Sequence, residues 1–341
     1  VIGRATAAQA IHWKRVVRLA AIAAAFLAIP ALADVPARLV TACAKWIALS
    51  AALELLSMLG FVLVFALVFG KRLSACQRIG AGLRALGAIT VLPAGGLVGP
   101  VVAARTAVEQ PASLPALTQS TVALTILTTA PGLLVVVGLG FALWLGVPPG
   151  PHRTLLTLPA AGVALAIVAG AWLVGRPCRP RGTSSHERAR SQRRRHLIAT
   201  ATTCHDGAVQ ARRLVADRNW KLAGAVGYYA FDNAVLWAAF QAYGHGPAIS
   251  VIVMGYLVGS LGALLPLPGG IGGVEGGLIG ALVLYGSPAA AAAGAVLLYR
   301  GISLSLQVGL GALAWGVVPT RWLRAARRRR AHVPSIPARS S

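Results

Sequence analysis

Apolar positions along this chain fall into long uninterrupted runs, and the polar positions gather between them. The runs Val16 to Ala33, Trp46 to Phe69, Leu117 to Leu145, Leu155 to Gly175, Leu222 to Tyr243 and Ala289 to Val318 each approach or exceed a bilayer's width. A helix rising 1.5 Å per residue needs about 20 such residues to cross a hydrocarbon core of about 30 Å. Trp46 sits where an aromatic side chain meets the interface, Lys71-Arg72 close the second run, and Val147-Pro148-Pro149-Gly150 make a tight turn between the third and fourth. Two further apolar stretches are broken. Leu86 to Ala104 is interrupted by Pro93-Ala94-Gly95-Gly96, and Ile249 to Tyr285 by Pro268-Gly269-Gly270. The predicted fold is an all-α, polytopic transmembrane bundle of about six full spans plus two broken or re-entrant helical hairpins, or eight spans if both broken elements cross.

The polar stretches orient these elements. Positive charge lies in residues 1–15, in Lys71 to Arg84, in Arg176 to Lys221 with twelve Lys and Arg, and in Arg321 to Arg330. Loops rich in Lys and Arg stay cytoplasmic, so an even number of crossings must separate each pair. That parity makes Leu86 to Ala104 a hairpin entering and leaving on the cytoplasmic side. It permits Ile249 to Tyr285 to be a hairpin entering from outside. The predicted organisation is a cytosolic N-terminus (1–15), a first membrane half (16–175) with its broken hairpin at 86–104, a basic cytosolic loop (176–221), a second half (222–318) with its hairpin at 249–285, and a basic cytosolic tail (319–341). The expected location is the cytoplasmic cell membrane, with both termini cytoplasmic. Within the basic loop, Leu197 to Trp220 is expected to form an amphipathic helix resting on an anionic leaflet.

Leu92-Pro93-Ala94-Gly95-Gly96-Leu97-Val98-Gly99 resembles Pro266-Leu267-Pro268-Gly269-Gly270-Ile271-Gly272-Gly273, and superposing the glycine pairs sets Ser113 on Ser287. Two readings stay open: an inverted repeat, as in many transporters, or two unrelated kinked helices.

Composition narrows the function. With 57% hydrophobic and 12% charged residues the surrounding solvent is lipid. Although Lys and Arg outnumber Asp and Glu 32 to 8, the Arg runs lack a folded basic face with base-reading groups, so no nucleic-acid partner is expected. Cys43, Cys76, Cys178 and Cys204 show no CxxC spacing, and Cys178, His186, Cys204 and His205 are too irregularly spaced for a zinc site. No cofactor and no metal are expected. Nor is catalysis, because the chain has no GxSxG, HExxH, GxxxxGK[ST] or strand-borne GxGxxG, and its histidines fall at segment ends or in loops.

Chemistry is concentrated in four intramembrane ionisable residues, Glu54, Asp232, Glu275 and Arg300. Left facing lipid, each is costly, so all should face the bundle interior and find partners. Arg300 lies about 18 Å along its helix from Pro288, near mid-bilayer. Glu275 falls in the first turn of the half-helix Val274 to Tyr285, where the helix dipole favours a carboxylate. Glu275 and Arg300 are the expected ion pair, either locking two helices together or lining a polar cavity. Pro268, Gly269, Gly270, Gly272 and Gly273 allow the backbone to leave helical geometry and approach a ligand. Asp232 lies midway along its span, next to Asn233, with Tyr228 and Tyr229 one turn earlier, either as satisfied interior hydroxyls or as contacts to a ligand.

The stretch Leu265-Pro266-Leu267-Pro268-Gly269-Gly270-Ile271-Gly272-Gly273-Val274-Glu275, followed by Gly286-Ser287-Pro288 and Leu298-Tyr299-Arg300-Gly301-Ile302-Ser303, resembles the lysylphosphatidylglycerol synthase transmembrane, or flippase-like, family. The similarity runs from about Val16 to Val318 and is weaker in the first half, where Pro100 stands where many relatives carry an acidic residue. What the resemblance implies is a bacterial integral membrane protein that handles or moves lipids, with Pro268, Gly269, Gly270, Gly272, Glu275 and Arg300 at signature positions. Synthase activity is not expected, since no acyltransferase domain is expected after the last span. The expected function is translocation of a lipid, or transport of a lipid-linked anionic substrate. Glu275, Arg300, Asp232, Gly269, Gly270, Gly272 and Pro268 form the candidate substrate site, and membrane lipids with anionic phospholipid head groups are the partners. The alternative is a noncatalytic membrane subunit that anchors or regulates a separate lipid-modifying or glycan-synthesising transferase.

Overall fold

The computed structural model describes residues 43–70, 73–92, 95–107, 113–145, 154–174, 192–244, 246–260 and 272–316. The expected first span, the turn at 147–150, the Arg193-Arg194-Arg195 side chains, the glycine-rich tip with Pro268, Gly269 and Gly270, and the basic tail lie outside the described residues or side chains. The described residues form ten α-helices and no strand: α1 (Ala44–Phe69), α2 (Ala75–Val91), α3 (Gly95–Ala107), α4 (Leu114–Trp144), α5 (Thr154–Val174), α6 (Gln192–Ala216), α7 (Ala223–Gln241), α8 (Ile249–Ser260), α9 (Gly273–Leu284) and α10 (Ala289–Gly316). Among them α1, α4 and α10 are long and apolar enough to cross a membrane. At 12 residues each, α8 and α9 reach only about 18 Å.

Helix α1 runs antiparallel to α7. The Cys43 N–H donates to the Ala242 carbonyl at 3.1 Å, and the Ser57 hydroxyl donates to the Tyr228 carbonyl at 3.0 Å. Between them Gly60 meets Gly224 so closely that a Cβ on either would stand 2.6 Å from the other's carbonyl oxygen. α2 is antiparallel to α10 through a second bare seam, where a Cβ on Gly311 would lie 2.7 Å from the Cα of Gly87. A third joins α8 to α9, where a Cβ on Gly259 would lie 2.5 Å from the Cα of Leu278. Small residues at such crossings let backbones approach and raise the dispersion gain where lipid removes the hydrophobic drive.

Two apolar cores fill the bundle, one around Phe65, Leu86 and Leu124, the other around Phe240, Ile252, Leu278 and Leu282. Outside them, α4 and α5 expose Leu134, Phe141, Leu158, Val163, Leu165 and Ile167. The hairpins α2–α3 and α8–α9 both reach α10, through α2 and α9 respectively.

Two elements differ from the expectations. The first broken element begins at Ala75 rather than Leu86, because Ser74 and Gln77 form a reciprocal capping box that starts the helix early. Arg84, expected in a basic loop, is instead 7% exposed within α2, its guanidinium carbon 5.7 Å from the centre of the Trp315 ring. α6 turns its Ala208 and Ala211 face to protein. It packs on α4 with Gly207 against Val122, so this face is not available to rest on a leaflet.

Candidate functional site

Helix α10 positions the site. Tyr299, Ser303 and Gln307 recur every four residues and therefore share one face, while Arg300 is one position further round. Tyr299 meets α7, Arg300 meets α9, and Ser303 and Gln307 both meet α1.

Glu275 sits in the first turn of α9, and its Oε1 accepts from the Arg300 Nε at 2.7 Å. Its Oε2 accepts from the Gly272 N–H at 2.6 Å. Gly272 has φ +89°, a region L-residues rarely adopt, and so supplies the sharp entry that lets the carboxylate fold back over its own helix start. The two side chains are 11% and 14% exposed, which makes this a mostly desolvated pair.

Asp232 projects from α7 and is 6% exposed. Tyr299 donates to it, its hydroxyl 3.0 Å from Oδ1 and 3.1 Å from Oδ2, and Tyr256 of α8 donates to Oδ2. The tyrosines pack edge to face, with Tyr229–Tyr256 and Tyr256–Tyr299 centroids 5.8 and 6.3 Å apart. Glu54 of α1 is fully buried. Its Oε2 is 3.0 Å from the Ser303 hydroxyl, and its Oε1 accepts from the Gln307 amide at 2.9 Å. The other end of that amide accepts from the Thr90 hydroxyl of α2 at 2.8 Å.

The structure thus brings Asp232, Glu275, Gly272 and Arg300 onto elements that meet at α10, while Pro268, Gly269 and Gly270 lie outside the described residues. Tyr228 and Tyr229 are not the hydrogen-bond partners of Asp232. The Tyr228 ring packs on Phe61 at 5.6 Å, and Tyr229 stacks behind Tyr256. Sequence reasoning missed Tyr256, Tyr299, Ser303, Gln307 and Thr90, and assigned Glu54 no partner. The four-residue spacing of polar positions on α10 was the available signal. Among the described residues the site carries three carboxylates to one guanidinium.

Behind α8 lies a cavity of about 260 Å³, lined by Leu133, Val136, Val163, Leu257, Ala281 and Tyr285. Its walls are apolar, and α8 separates it from Asp232: Tyr256 turns to the carboxylate, while Leu257 and Val258 line the cavity.

The family model described as the lysylphosphatidylglycerol synthase TM region matches residues 15–311. The chain belongs to that family. No curated protein matches it. As a member of the lysylphosphatidylglycerol synthase TM region family it is an integral membrane protein, and the matched segment holds every side chain of the site from Glu54 to Gln307.

Proposed function

We propose that this family member moves an anionic lipid, or a lipid-linked anionic substrate, between the leaflets of the membrane, with Arg300 meeting the head group. The observation that carries this reading is the Glu275–Arg300 pair at the start of a half-length helix, inside a bundle whose outer faces are apolar. Phosphate and carboxylate compete for the same guanidinium geometry. An arriving head group therefore draws Arg300 from Glu275, which keeps its bond to the Gly272 N–H. Asp232 holds α7, α8 and α10 in register around the head group. The apolar cavity beside α8 suits part of an acyl chain. In this orientation α1 and α10 run toward the cytosol, α7 runs away from it, and the α8–α9 hairpin enters from outside.

The test is reconstitution of the purified chain into vesicles carrying a head-group-labelled phospholipid, with a membrane-impermeant quencher outside. Transfer of the inner-leaflet label is expected, with loss of at least about tenfold in rate for Arg300→Ala, a change of 1.4 kcal/mol or more in the barrier. Vesicles whose inner label stays protected under every gradient would refute the proposal and favour the anchoring alternative.

A further inference from the structure

We infer that Glu54 and Asp232 together form a proton-binding site at the centre of the bundle, holding one exchangeable proton. Its coupling to lipid movement rests on the proposed function; the proton site itself does not.

Both carboxylates are withdrawn from solvent, Glu54 at 0% and Asp232 at 6% exposure. Among the described residues neither forms an ion pair, and every hydrogen-bond partner is neutral: Ser303 and Gln307 for Glu54, Tyr256 and Tyr299 for Asp232. Groups facing them from the packed helices include Tyr228 on α7 and Arg300 on α10, each within electrostatic reach of one or both, while Glu275 on α9 faces Arg300. The described part of α4 carries no charged residue, and Arg84 of α2 is turned to Trp315. Arg300 is shared with Glu275, so among the described residues one guanidinium faces three carboxylates. Two like charges this deeply buried do not both ionise without a counter-charge.

The chemistry of the partners selects a proton over a metal cation. Gln307 points an N–H at Glu54, a donor that a metal cation could not use. Hydroxyls also serve both protonation states, because Ser303 and Tyr299 accept from a neutral acid as readily as they donate to an anion. Ser303 and Tyr299 are one turn apart on α10 and so link the two acids. Unsatisfied polar atoms flank the pair: the Ser50 hydroxyl, fully buried one turn before Glu54 on α1, and Asn233 Oδ1, 7% exposed beside Asp232. Buried groups of this kind take up water or another small polar species. The proton arrives from water as H⁺, adds to one carboxylate oxygen and leaves as H⁺.

The experiment is infrared difference spectroscopy of the purified full chain in lipid nanodiscs during pH changes. Isotope labels at aspartate or glutamate carboxyls assign the bands without any mutation. A protonated-carboxyl carbonyl band near neutral pH, moved by a label and lost in Glu54→Gln or Asp232→Asn, is the expected result. Absence of such a band in the unmutated chain, or a band untouched by both labels, overturns the site. In vesicles, an imposed pH gradient is expected to bias the leaflet distribution of labelled lipid by up to about tenfold per unit for one coupled proton. Lipid movement indifferent to the gradient overturns the coupling and leaves the proposed function standing; a carboxyl band without any lipid movement removes the proposed function and leaves the proton site.

Discussion

Replacing Gly60 with alanine places a methyl group 2.6 Å from the Gly224 carbonyl oxygen, 2.7 Å from the Tyr228 nitrogen and 3.1 Å from the Tyr228 Cα. All three are backbone atoms, so no rotamer change relieves them and α1 must move off α7. The closest approach is about 1 Å inside ordinary contact. Overpacking of this kind costs about 1–3 kcal/mol, and backbone on the receiving side puts the substitution in the upper part of that range. Against it stands the helix-forming gain of alanine over glycine, close to 1 kcal/mol. A net destabilisation of about 1–2 kcal/mol results. Gly280→Ala is the control, because a Cβ on α9 there meets nothing within 4 Å and only the helix-propensity gain applies. Reversible unfolding in mixed micelles, followed by tryptophan fluorescence, should separate the two variants by about 2–3 kcal/mol, more than a tenfold difference in unfolding equilibrium. Equal stability of Gly60→Ala and Gly280→Ala would refute the close seam between α1 and α7.

Three other outcomes follow from the site. Glu275→Gln should destabilise the protein by about 3 kcal/mol by stranding Arg300, while the double variant Glu275→Gln/Arg300→Met should recover part of that loss; a double-mutant cycle with no coupling would contradict the pair. Gly272→Ala should cost about 1–3 kcal/mol in the same unfolding assay, because φ +89° is strained for any side chain, whereas alanine at Gly276, where a Cβ meets nothing within 4 Å, should not. Cys43, Cys76 and Cys204 are free and exposed, so single-cysteine versions report topology with an impermeant thiol reagent. Cys43 should react from outside and the other two only from the cytosolic side, and reaction of all three from one side would break the parity argument.

The helices were legible because apolar length is a local property, and α1, α4 and α10 of the expected spans are long and apolar enough to cross a membrane. α7 was expected from Leu222 and begins at Ala223; α10 was expected from Ala289 and begins there. Glu275 with Arg300 was legible too, since the membrane segments offer that carboxylate one cation only 25 residues away. Glu54 was different. Its partners Ser303 and Gln307 lie 249 and 253 residues distant, and nothing local marks which helix meets which. Tyr256 stayed hidden because a tyrosine in an apolar run serves equally as packing or as a hydrogen-bond donor. Arg78 and Arg84 were mistaken for loop residues since charge outweighed capping in the reading of that stretch, yet Ser74 and Gln77 held the stronger signal for where the helix starts.

The four-residue spacing on α10 makes that helix a ladder. Its rungs, Tyr299, Ser303 and Gln307, each end in a group that hydrogen-bonds a carboxylate. Sliding α10 by one turn, about 5.4 Å, exchanges one rung for the next and offers Asp232 a serine where it had a tyrosine. A half-turn slide leaves each rung about 2.7 Å out of register with its acid. The polar spacing of α10 thus sets the positions along its axis at which both acids keep a partner, as teeth set the stops of a ratchet.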